Sequence, residues 1–115
     1  MKYENKVSPM KAYTNALTGI SLAANMALLT AYLNDAKMEL SILKYFVDSY
    51  KNFEESFNHS INMNTNCISN DLYNRGKNFL TTIGEYKKLP ESQSKDIQLM
   101  FELSIKDVEN VLHVE

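Results

Sequence analysis

Residues able to do acid–base, metal or nucleophilic chemistry are few in this sequence and thinly grouped. Two segments place a glutamate four residues ahead of a histidine: Glu55 with His59, and Glu109 with His113. On a helix that spacing puts carboxylate and imidazole on one face, and two such pairs facing each other could hold a metal. The di-iron bundle pattern uses Glu-x-x-His with further carboxylates on partner helices, and neither occurs here. His113 also lies two residues from the end of the sequence, where fraying is expected. The four residues are weak metal candidates, and the expectation is two exposed pairs with no metal and no cofactor.

Cys67 is the single cysteine. A reactive thiolate needs a histidine or a helix N-terminus to lower its pKa. Cys67 stands just before a predicted helix start, but no base can be assigned to it. No Gly-rich phosphate loop and no defensible Ser/His/Asp set is present. The expectation is a protein that is not an enzyme.

Composition narrows the class. The chain of 115 residues fits one domain, 1–115, with one modest core. Hydrophobic residues make up 44% and charged residues 23%, which argues against disorder. Three glycines and two prolines are too few for an all-β fold rich in tight turns. The net charge is -2, and the basic residues are lysines apart from Arg75, interspersed with acids. Phosphate neutralisation normally leaves a basic stripe, so nucleic acid is disfavoured as a partner. One cysteine excludes an internal disulfide framework and points to a reducing, cytoplasmic setting.

The stretch that organises the chain is Ala12 to Asn34, which carries no charge. Gly19, Ala23, Ala27 and Ala31 recur every four residues, a row of small side chains along one flank of a helix. Thr14, Thr18, Ser21 and Asn25 follow a 4-3-4 rhythm beside it. A helix facing solvent over six turns normally acquires Lys or Glu, so most of this circumference is expected to be covered. The eight residues form the predicted interface, either within the bundle or with a second copy. Lys2, Lys6 and Lys11 precede the stretch as a cytoplasmic flank would precede a membrane span, but Thr14, Asn15, Thr18, Ser21, Asn25 and Thr30 interrupt it, and its asparagines are costly in lipid.

The elements positioning these residues read as helices throughout. Ser8-Pro9 is a helix start, with Ser as N-cap and Pro at the first position. Leu22, Met26, Leu29, Leu33, Ala36, Leu40, Leu43, Val47 and Tyr50 keep a 3-4 spacing that Phe57 and Ile61 rejoin, the pattern of a coiled-coil or bundle seam. That phase favours one long helix over about 9–58, the alternative being a break near 34. Residues 58–70 are uncharged apart from His59 and rich in Asn and Ser, with a turn expected around 60–67. Asn58, Asn62, Asn66, Asn70, Asn74 and Asn78 recur every four residues, which chance in an Asn-rich chain explains. A third helix is predicted over about 69–87, capped by Ser69 or Asn70, and a fourth from near Glu91, with Ile97, Met100, Phe101, Ser104, Val108, Val111 and Leu112 inward.

The expected fold is therefore all-α: a three- or four-helix bundle with a long N-terminal helix and an antiparallel pair of shorter ones. The expected function is a non-enzymatic helical protein–protein interaction module of adaptor, chaperone, immunity or inhibitor type. It would self-associate, as a dimer, through 12–34, or bind another protein there. A membrane-associated protein using 12–34 is the alternative, and a metal- or small-ligand-binding bundle the third.

Overall fold

The computed structural model describes residues 4–62 and 67–113, with backbone alone at 4, 5 and 62. Lys2, Asn66 and the centre of the expected 60–67 turn lie outside these residues.

Four helices carry the fold: α1 (Pro9–Asp35), α2 (Leu40–Asn62), α3 (Asn70–Tyr86) and α4 (Lys95–Leu112). A single 3-10 turn, Pro90–Ser92, precedes α4, and two three-residue strands, β1 (Glu4–Lys6) and β2 (Cys67–Ser69), pair antiparallel. Each helix start that has a serine uses it. Lys11 N donates to Ser8 Oγ at 3.1 Å, Leu72 N to Ser69 Oγ at 3.1 Å and Ile97 N to Ser94 Oγ at 3.2 Å. These bonds satisfy one of the free N–H groups at each helix end. The fourth helix thus begins at Lys95, later than the sequence suggested, because Ser94 supplies its cap.

The single helix over 9–58 does not form; the chain breaks after Asp35. Met38 N bonds Leu33 O at 3.1 Å and Lys37 N bonds Asn34 O at 3.0 Å. Lys37 takes a left-handed φ of 67°. This is a Schellman closure, and Leu33 and Met38, the pair that such a closure brings together, are both buried. The unbroken 3-4 phase misled because two amphipathic helices happen to stay in step across a short turn. Within α2 the buried stripe centres on Phe46 and Phe53, while Leu40 and Ile61 of the supposed seam are exposed.

Successive helices alternate in direction, and α4 returns alongside α1. Tyr86 Oη donates to Ile42 O at 2.9 Å, and Arg75 Nη1 donates to both Asn52 O and Asn52 Oδ1 at 3.0 Å, fixing α2 antiparallel to α3. Lys11 Nζ donates to Asn110 O, and Asn25 Nδ2 to Asp107 Oδ2, fixing α1 antiparallel to α4. The corner before α4 is held by two glutamine amides. Gln98 Nε2 donates to Lys87 O and Ser92 O, and Gln93 Nε2 to Lys87 O and Leu89 O, all at 2.8–2.9 Å. Phe46, Phe53, Phe79, Phe101 and Tyr86 form the middle of the core, with ring centroids 4.9–6.0 Å apart, the range in which tilted and edge-on rings attract. All seven residues predicted to face inward on α4 are buried.

Candidate functional site

The circumference of α1 divides into four strips. Facing the core are Asn15, Leu22, Met26, Leu29 and Leu33, all buried. On the flank towards α4, Ser21 Oγ and Asn25 Nδ2 both donate to Asp107 Oδ2, at 3.1 and 3.0 Å. One carboxylate thus satisfies two polar side chains in the uncharged stretch of α1. On the flank towards α2, Gly19 lies against the Phe57 ring, so close that a Cβ there would overlap it.

The fourth strip points away from the bundle. Met10, Tyr13, Leu17, Ile20 and Leu28 are 43–74% exposed, and Ala24, Ala27 and Ala31 are exposed among them. Met10, Tyr13, Leu17, Ile20, Ala24, Ala27 and Ala31 step 3-4-3-4-3-4, the spacing of a seam that packs against another helix. The strip is about 32 Å long at 1.5 Å per residue and about 10 Å wide, or about 320 Å² in plan. Contiguous apolar patches of that size on small proteins are often functional. Nearby α4 exposes Leu99 and Leu103 as well. By length and composition α1 could also cross a membrane, with a mean hydropathy of 1.5 over its most apolar window.

The predicted interface residues therefore fall in different places. Ala23, Ala27, Ala31 and Thr14 are exposed, and Thr18 is half-buried. Gly19, Ser21 and Asn25 are engaged within the chain. Coverage of most of the helix within the bundle does not hold, since three helices suffice to cover only its inner half. Sequence reasoning missed the outward set of Met10, Tyr13, Leu17, Ile20 and Ala24. Their 3-4 spacing was a legible signal, but with no charge between Ala12 and Asn34 it could not be told apart from the inward stripe.

The other candidates are surface features. Glu55 and His59 are exposed near the end of α2, with Glu55 3.8 Å from the Arg75 guanidinium. Glu109 and His113 are exposed at the end of α4. Among the described residues no three His, Cys, Asp or Glu side chains come together as a metal would need. Cys67 is half-buried and opens β2, paired with Lys6. The perturbed acids belong to helix pairing. Burial, then its bond to Glu54, pushes the Tyr50 hydroxyl up, while the Ser56 hydroxyl, at 2.7 Å, and then Arg75 hold the Asp71 carboxyl below the ordinary carboxylate range.

What these features define is a small up-down-up-down helical bundle with an uncharged face turned outward. No protein-family model, curated protein or solved structure matches the chain.

Proposed function

We propose that the protein is a helical interaction module, without enzymatic activity, that self-associates through the outward strip of α1 in a reducing compartment such as the cytoplasm. The observation that carries this reading is the size pattern along the strip. Its first half is large, Met10, Tyr13, Leu17 and Ile20, and its second half is small, Ala24, Ala27 and Ala31. Two copies laid antiparallel about a two-fold axis beside Ile20 and Ser21 set Met10 opposite Ala31, Tyr13 opposite Ala27 and Leu28, and Leu17 opposite Ala24. Met10 and Leu17 then meet alanines, Tyr13 lies between Ala27 and Leu28, and Ile20 of each copy meets its counterpart near the axis. A self-complementary patch of this kind closes as a dimer. The lack of charge supports the same reading, since neither copy need desolvate an ion.

Light-scattering chromatography without detergent tests it. Wild type is expected to be dimeric at about 100 µM and Ile20→Lys monomeric, since two ammonium groups would meet at the axis. The antiparallel register has its own check: Leu17→Lys disrupts the dimer, and adding Ala24→Glu to the same chain restores it. A wild-type monomer would end the proposal. The length and hydropathy of α1 favour a second reading, attachment to a lipid surface, for which the protein would have to sediment with phosphatidylcholine vesicles. The hydrogen bonds of Ser21 and Asn25 to Asp107 favour the bundle in water.

A further inference from the structure

A cavity of about 490 Å³ lies between the N-terminal half of α1, the end of α2 and β2. Its wall is mostly apolar, with Val7, Ala16, Phe57, Ile68, Leu72 and Val111. The volume lies in the range of small-molecule sites, which combine an apolar lining with a few placed polar groups. Ser60 and Asn15 are polar residues of the lining, and Asn15 is the more deeply buried of the two. It is 7% exposed, on the core side of α1. Its Nδ2 reaches Val111 O only at 3.5 Å, and its Oδ1 is buried with no hydrogen-bond partner.

A buried amide oxygen without a donor is costly, and an apolar residue of the same size would remove that cost. An unmatched amide on a residue that lines an apolar cavity fits a site completed by something outside the chain. We propose that this cavity binds a small apolar molecule carrying one hydrogen-bond donor, an alcohol or phenol with a short aliphatic or aromatic body. The donor bonds Asn15 Oδ1 once the amide, held only by its 3.5 Å contact to Val111 O, turns towards the cavity, and the body lies among Ala16, Phe57, Ile68 and Leu72. Exposed Tyr13 and Ile61 stand at the rim. This inference rests on the cavity and on Asn15, and it holds for a monomer as well as a dimer.

The probes are 4-butylphenol and its O-methyl ether, 4-butylanisole, which is one methyl group larger and has no donor. The ether is the more apolar of the two, so preference for the phenol cannot come from hydrophobicity. Titration calorimetry on wild type and on Ile20→Lys separates this question from self-association. The expected result in both is binding of the phenol about tenfold tighter than the ether. The phenol should also slow alkylation of Cys67, which lines the cavity, by iodoacetamide. Asn15→Leu, which keeps the branched shape and removes the acceptor, should bring the two affinities together. Ala16→Leu or Ala12→Leu, each checked for helicity, should weaken both probes by filling the space. Equal affinities in wild type, no binding of the phenol at about 1 mM, or undiminished binding in the filled variants would overturn the proposal. The first two outcomes would mean that water alone satisfies Asn15.

Discussion

Asp71 shows how one side chain can join two helices. It accepts from Ser56 on α2 and from Arg75 one turn along its own helix, while Arg75 reaches back to Asn52. Because its folded pKa is lowered, the folded state binds this proton more weakly than the unfolded chain does. Its contribution is therefore complete above the ordinary carboxylate value of about 3.9 and is lost as pH falls through the lower folded value. Asp71→Asn should melt below wild type at pH 7, by no more than about 1 kcal/mol because the site is open to solvent. The difference should shrink as the pH of the melts is lowered through the acid range. Glycines give a second contrast. A Cβ at Gly84 meets nothing within 4 Å, so Gly84→Ala should stabilise by about 0.5–1 kcal/mol through helix propensity. At Gly19 the same change meets the Phe57 ring, and Gly19→Ala should lower stability by about 1–3 kcal/mol. Thermal melts of the two variants measure both effects. At this scale the capping serines at 8 and 69 were legible, because a cap is a local pattern. Asp107 was not, since its partners Ser21 and Asn25 lie on a helix distant in sequence.

The turn between α1 and α2 is where the sequence pattern and the chain part company. Hydrophobic phase reports which face of a segment is buried, and it continued through a reversal because the four-residue turn Ala36–Glu39 kept step. What ends α1 is backbone geometry at Lys37, a residue whose type gives no warning of a left-handed conformation. Glycine adopts that conformation without the Cβ penalty, so Lys37→Gly should raise stability by about 1 kcal/mol, read as a higher denaturant midpoint with an unchanged m-value. If instead the variant were less stable, the left-handed closure would not be what sets the turn. The later elements were easier to read. α3 and α4 carry charges on their outer faces, so their apolar stripes stand out, and all the inward residues expected on α4 are buried. On α1, uniform neutrality hid the direction of the core.

For the whole molecule, the all-α class and the helical bundle followed from a chain short of glycine and proline and periodic almost throughout. The strand pair was invisible, because three-residue segments carry no period of their own. If the outward strip of α1 closes a dimer, the melting temperature must rise with protein concentration, and that rise must disappear in Ile20→Lys. The strand pair itself has a kinetic consequence. Lys6 pairs with Cys67, so closing it requires the ends of the whole α1–α2 hairpin to meet, a loop too long to form early. The ribbon should be the last contact to zip and the first to fray, its amides exchanging with deuterium well ahead of those in the aromatic core. Val7, Cys67 and Ile68, beside or within that ribbon, also line the cavity. Fraying of the ribbon therefore loosens one wall of the cavity, and a ligand that braces that wall should slow the exchange of the ribbon amides.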